Sequence, residues 1–223
     1  GPMHTPVLNF VFADVDGNIG YCGPGAHPVR SSGDGARPVP GWTSDSDWRG
    51  YVHESEWPRT FNPSRGFLVT ANNKVVPDSY PFRLGSSWEA PYRAARIIDM
   101  IQTGGRLAVE DLARMQRDVK SAQVNAVLPF LLKARPIDPA SREAMDRLHA
   151  WDGTLGGDSP DAALYEAWYE ATARGLVEDD LGGDLFSDYW AHRSIVAKAI
   201  DTMIQTNDLA WCDDVRTIEP ETC

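Results

Sequence analysis

A chain of 223 residues, 42% of them hydrophobic, is long enough for one large domain or two small ones with a substantial core. Its 21 basic against 32 acidic residues leave a net charge of -11, which argues against a nucleic-acid partner, since a phosphate backbone calls for clustered Lys and Arg. No apolar run reaches transmembrane length and the N-terminal stretch lacks a signal-peptide pattern, so no membrane partner is expected.

Gly1-Pro2 ahead of Met3 reads as the remnant of a cleaved tag, so the missing signal says nothing of where the parent protein resides. From Val7 to Asp14 the sequence is strand-like, Asp16-Gly17 marks a tight turn, and Ile19–Cys22 reads as the returning strand. Together they predict a β-hairpin over Val7–Cys22. Asp14-x-Asp16-Gly17 has the look of a calcium loop, but the glycine comes too early and the twelfth position is Gly25 rather than Glu. Pro24 to Gly66 is rich in Gly, Pro, Ser and Asp and carries Trp42, Trp48 and Trp57, which predicts a long irregular loop packed on something.

A third strand is predicted over Phe67–Ala71, and it stops at Asn72-Asn73 because Asn is depleted in strands and favoured at turns. An amide held at a strand end supplies the neutral N–H donor that an oxyanion hole requires. On spacing alone the pair reads more readily as a turn.

Helices follow. One begins near Trp88, carries Arg93, Arg96, Ile97, Ile98 and Ile101, and ends at Gly104-Gly105. Val109–Val119 and Ala122–Ala134 are amphipathic, the second kinked by Pro129. Ser141–Trp151 has Ser141 as its N-cap, and Trp151-Asp152-Gly153 stops it. Asp161–Leu176 and Ser187–Gln205 complete the set, with Glu178-Asp179-Asp180 as a solvated turn between them.

The fold class is thus α+β, with a β-rich segment over 1–86 and a helical subdomain with an acidic tail over 87–223. The expected core comprises Phe10, Phe12, Phe67, Val69, Ile97, Ile101, Leu112, Leu128, Leu131 and Trp168. A hairpin and one short strand leave the sheet unfinished.

Few side chains offer nucleophilic or metal chemistry. The five histidines His4, His27, His53, His149 and His192 have no ligand spacing, and Cys22, Cys212 and Cys223 have no zinc spacing. Cys212 and Cys223 close a short polar loop and either pair or stay free. Thr5 lacks a base-and-oxyanion context, and no Gly-x-Ser-x-Gly elbow is present.

Taken in order, Phe12-Ala13-Asp14-Val15-Asp16-Gly17-Asn18-Ile19-Gly20-Tyr21, Pro28-Val29-Arg30, Pro38-Val39-Pro40-Gly41 and Trp48-Arg49-Gly50 form one series. It continues through Asn62-Pro63-Ser64-Arg65-Gly66, Thr70-Ala71-Asn72-Asn73, Trp88, Arg93 with Arg96-Ile97, and Trp151-Asp152-Gly153. In this the chain resembles the penicillin acylase family of N-terminal-nucleophile hydrolases, specifically an internal part of the β chain. The resemblance implies cleavage of an amide between an acyl group and an amine, of the penicillin, cephalosporin or acyl-homoserine-lactone type. The nucleophile there is the first residue of the mature β chain, which this chain would lack. It implies that Asn72 is the oxyanion-hole asparagine and that Arg93 orients it, with no role for Asn73.

It further implies as partners the remainder of the β chain and an α chain of one precursor, together with a small-molecule amide substrate. A periplasmic or secreted parent is implied too, and with it a Cys212–Cys223 disulfide. The family's calcium carboxylate falls at Phe82. No cofactor is therefore expected in this chain, although calcium remains possible in the intact enzyme with help from the carbonyl near Gly35. By its residues alone, Arg93 could instead pair with Glu89, four positions earlier. The alternative to the enzyme reading is a non-catalytic helical module with a partner-binding β-edge.

Overall fold

The computed structural model describes residues 7–85, 87–206 and 209–218, with the side chains of 193–196 and 209 left aside. The chain divides into two compact units, Gly1–Glu89 and Ala90–Cys223.

The first unit is built of small antiparallel sheets. Strands β1 (Phe10–Ala13) and β2 (Ile19–Cys22) form the predicted hairpin, with Phe10 opposite Cys22 and Ala13 opposite Ile19. Its loop is wrapped around one carboxylate. Asp14 Oδ1 accepts the N–H groups of Asp16 at 3.0 Å and Asn18 at 2.8 Å, and its Oδ2 accepts Asn18 Nδ2 at 2.8 Å. Gly17 takes the left-handed φ of 84° that the turn needs.

The segment read as an irregular loop holds three strands: β3 (Pro28–Arg30), β4 (Trp48–Tyr51) and β5 (Arg59–Phe61). β3 and β4 pair as a two-stranded sheet, while β5 joins β2 to give the order β1-β2-β5. The third strand of the hairpin sheet is therefore Arg59–Phe61 and not Phe67–Ala71, which runs half-buried without strand pairing. The reason is local. Arg65 Nε donates to the Phe67 carbonyl at 2.9 Å and its guanidinium lies 5.1 Å from the Phe67 ring centre, so a side chain takes up the backbone group that a ladder would use. Nor do all the tryptophans pack: Trp42 is 87% exposed.

The second unit carries the hydrophobic core. Helix α1 (Tyr92–Gly104) begins later than Trp88, because Pro91 keeps the residue before it out of helical backbone. Gly105, at φ 65°, follows its end. Helix α2 (Val109–Met115) stops short of Val119, where the chain turns into a bridge between Lys120 and Thr154. Helix α3 (Ala122–Leu131) is capped by Ser121, whose Oγ accepts Val124 N–H at 3.2 Å, and has Pro129 in its last turn.

Helix α4 (Pro139–Ala150) is capped by Asp138 rather than Ser141. Asp138 Oδ1 accepts Ser141 N–H at 2.8 Å, and Ser141 Oγ accepts Asp138 N–H at 3.1 Å. The pair is a reciprocal capping box, helped by Pro139 at the first position. After α4, Asp152 holds Thr154 through its N–H and hydroxyl at 3.0 and 2.8 Å, and Trp151 packs its ring 5.6 Å from that of Tyr165.

Helix α5 (Pro160–Ala191) contains the predicted break, but only at Gly182, whose φ of 74° and ψ of 159° are not helical. Glu178, Asp179 and Asp180 are helical, and Glu178 accepts from Arg174 at 2.5 Å instead of forming a solvated turn. A straight helix would hold the rings of Tyr169 and Trp190 about 32 Å apart. Their centroids lie 6.0 Å apart, so α5 doubles back on itself at Gly182. Helix α6 (Arg193–Thr206) packs on α3 and α5.

The core joins Val124, Val127, Leu128 and Leu131 of α3 to Tyr165, Tyr169, Leu176 and Phe186 of α5, with Leu148 and Ile200. Of the expected core, Leu128 and Leu131 belong to it and Trp168 packs partly buried against it. Ile97, Ile101, Phe67 and Val69 are only half-buried. Phe10, Phe12 and Leu112 are 45%, 50% and 48% exposed, the first two because β1 is a sheet edge. Cys223 lies outside the described residues, and with it the Cys212–Cys223 bridge. Among the described residues no helix is long and apolar enough to cross a membrane.

Candidate active site

Asn72 belongs to the first unit and Arg93 to the second. The turn that carries Asn72 is built by its neighbours. Asn73 Oδ1 accepts the Ala71 N–H and its Nδ2 donates to the Lys74 carbonyl, each at 3.0 Å, so that this amide is bound into the backbone on both sides. The Asn72 carbonyl accepts the Glu89 N–H at 3.1 Å, which ties the turn to the end of the unit.

Within this frame Asn72 is exposed and takes a φ of 62°, the left-handed conformation that Asn tolerates better than other side-chain-bearing residues. Two residues upstream, the Thr70 hydroxyl is buried and has no hydrogen-bond partner among the described residues. The Asn73 amide is bound into the turn, and Asn72 is exposed on it. A side-chain N–H held in this way on a fixed backbone is the donor type that stabilises negative charge developing on a carbonyl oxygen.

Arg93 lies in the first turn of α1 and is exposed. Glu89 does not share its helix, which begins at Tyr92. One turn on, Arg96 makes two parallel hydrogen bonds of 2.8 Å to Asp118 and one of 2.5 Å to Asp99. The guanidinium pulls the Asp118 carboxyl below its ordinary value.

Beside Arg93 stands a constellation that the sequence did not disclose. Asp201 of α6 is 2% exposed. Its Oδ1 accepts Tyr169 Oη at 2.7 Å and Gln123 Nε2 at 3.0 Å, and Gln123 also reaches Oδ2 at 3.3 Å. Burial raises the Asp201 carboxyl above its usual range and its hydrogen-bond donors oppose the rise. Burial and the neighbouring carboxylate push up the phenols of Tyr169 and Tyr92. The available signal was Asp201 next to Ile200 on a core-facing helix, with Tyr165 and Tyr169 one turn apart on another.

Phe82 is the position at which the resemblance puts the family's calcium carboxylate. Its ring stands edge-on to Tyr80 at 6.0 Å, and an aromatic ring offers no hard oxygen ligand. The nearby carboxylate of Asp34 is engaged by Arg83 at 2.9 Å and by the Ala36 N–H at 2.9 Å. Among the described residues no group of three or more His, Cys, Asp or Glu could hold a metal ion.

The penicillin amidase family model matches residues 2–223. The acyl-homoserine lactone acylase QuiP of Pseudomonas aeruginosa PAO1 is 35% identical over 233 residues, covering 96% of this chain and 27% of that protein. Penicillin acylase 2 proenzyme of Pseudomonas sp. SE83 is 36% identical over 168 residues, covering 74% of this chain and 22% of the proenzyme. The chain spans about 28% of the length of the first relatives it matches. Among solved structures, the thermostable penicillin G acylase of Alcaligenes faecalis superposes with a TM-score of 0.67 at 21% identity, over 96% of this chain and 43% of that one. That likeness concerns the fold, an α+β arrangement of small antiparallel sheets and helices.

Proposed function

The chain belongs to the penicillin amidase family, and from that premise we propose that it is a segment of an acylase that cleaves the amide between an acyl group and an amine. The substrates are of the penicillin, cephalosporin or acyl-homoserine-lactone type. Asn72 supplies an N–H to the oxyanion of the tetrahedral intermediate, and Arg93 orients it. The nucleophile comes from another part of the polypeptide, so the 223-residue chain alone is inactive. Any calcium of the intact enzyme takes its carboxylates from elsewhere, and the parent protein is periplasmic or secreted.

The observation that carries this reading is the turn of Asn72. Its left-handed backbone is fixed by Asn73 and Glu89, which is the preorganisation an oxyanion donor needs. Partnership with the remainder of the polypeptide is supported by β1, an edge strand whose Phe10, Val11 and Phe12 are 45%, 55% and 50% exposed.

The test is Asn72→Gly in the full-length acylase, which removes the amide and keeps the positive φ free of strain. Turnover of a chromogenic phenylacetyl or octanoyl amide should fall about a hundred- to a thousand-fold with little change in KM. Unchanged turnover would favour the non-catalytic module with a partner-binding β-edge.

A further inference from the structure

The helices of the second unit leave a cavity of about 650 Å³ where α3 ends, between α5 and α6. Its walls are apolar: Phe130 and Leu131 come from α3, Trp168 and Leu176 from α5, and Ile204 from α6. Leu131 and Leu176 belong to the core, and Trp168 and Ile204 pack against it. The walls are therefore fixed by the fold itself.

Most of the polar lining is committed elsewhere. Thr172 donates its hydroxyl to the Trp168 carbonyl at 2.9 Å, and Gln205 donates its amide N–H to the Ala126 carbonyl at 3.4 Å. Lys133 differs. It is exposed, its ammonium lies 4.2 Å from the Phe130 ring centre, and it has no ion-pair partner among the described residues. Among the described residues that line the cavity there is no carboxylate, although Asp and Glu number 32 of 223.

The rim also carries Gly175, inside α5, where glycine is less favourable than alanine. Nothing stands within 4 Å of the place its β-carbon would take, so a larger side chain there meets open space and not the core. An apolar cavity of this size with few polar groups is the usual form of a small-molecule site. One cation on the rim, with no anion in the walls, suits a ligand that has an apolar body and one negative end.

We propose that this cavity binds a straight-chain carboxylate, with its hydrocarbon between Trp168, Leu176 and Ile204 and its negative end at Lys133. Neither Asn72 nor Arg93 lines the cavity, so the roles given to them play no part.

The test is equilibrium dialysis of hexanoate, octanoate and decanoate against the full-length acylase. Affinity should rise about ten-fold for every two carbons added, as burial of methylenes requires. Gly175→Leu, which fills the mouth, should bind one decanoate fewer than the parent, with Tm and amide turnover retained. Lys133→Ala should weaken the same binding about three- to five-fold, the range of an exposed ion pair.

Equal numbers of decanoate bound by the parent and by Gly175→Leu overturn the proposal. So does a Gly175→Leu enzyme with a lowered Tm, which assigns the cavity to a segment of the remaining polypeptide. Loss of turnover together with the bound decanoate would place the ligand in the substrate's own site, and overturns it too. Should Gly175→Leu not fold, Lys133→Ala decides: unchanged affinity for decanoate removes the carboxylate from the rim.

Discussion

Asn73 Oδ1 receives the Ala71 N–H at 3.0 Å, closing a side-chain turn around the backbone of Asn72. The residue to which no catalytic role was assigned is therefore the one that holds the candidate donor in place. Asn73→Ala removes this bond and the one to the Lys74 carbonyl. In the full-length acylase it should cost about 1–2 kcal/mol of stability and lower kcat. Asn73→Asp keeps the acceptor and should recover part of both, read from urea midpoints and steady-state rates.

Gly182 sets the fold of α5. Its φ of 74° and ψ of 159° lie where side chains are strained, and nothing stands within 4 Å of the position a β-carbon would take. The cost of Gly182→Ala is then torsional rather than steric, about 1–3 kcal/mol. Thermal unfolding should show that loss. Gly175→Ala, helical and equally open, should be neutral or stabilising.

The pH dependence of stability should carry a signature of Asp118. Arg96 depresses its folded-state pKa below the ordinary 3.8. The contribution is present above the unfolded value and is lost as pH falls through the folded one. Asp118→Asn should therefore destabilise at neutral pH, and the gap to the parent protein should close in acid, below about pH 4. Denaturant midpoints from pH 7 down to 2 give the comparison. A gap that stayed constant with pH would mean that the pair contributes packing and no charge.

Phe12 lies across Gly20, where a β-carbon would come within 2.0 Å of the ring, and approaches Phe61 at 6.4 Å on the other side. Gly20→Ala should push the ring aside and destabilise the sheet by about 1 kcal/mol. In a Phe12→Ala background the same change should turn neutral or favourable, since Ala suits a strand interior better than Gly. The sign change in a double-mutant cycle identifies the contact.

Local chemistry made much of this fold legible in the sequence. Asp16-Gly17 gave the hairpin, apolar spacing gave the helices, and Gly182-Gly183 lay inside the predicted break. The errors came where partners decide. Arg59-Thr60-Phe61 is too short and polar to read as a strand, yet β2 pairs with it. Phe67–Val69 is apolar enough for a strand, but Arg65 takes its backbone carbonyl. At the candidate site, the order of motifs pointed to Asn72 and Arg93. Neither the left-handed turn nor the Asp201 cluster could be seen, because three helices have to meet before a lone acid acquires donors.

A carboxylate whose donors come from α3 and α5 is well satisfied only when both are docked on α6. A bundle lacking either would enclose an under-partnered charge, at a cost of several kcal/mol. Half-built states are thereby emptied, and the three helices gain and lose their order as a single cooperative unit. In native-state hydrogen exchange, the slow amides of α3, α5 and α6 should share one opening free energy.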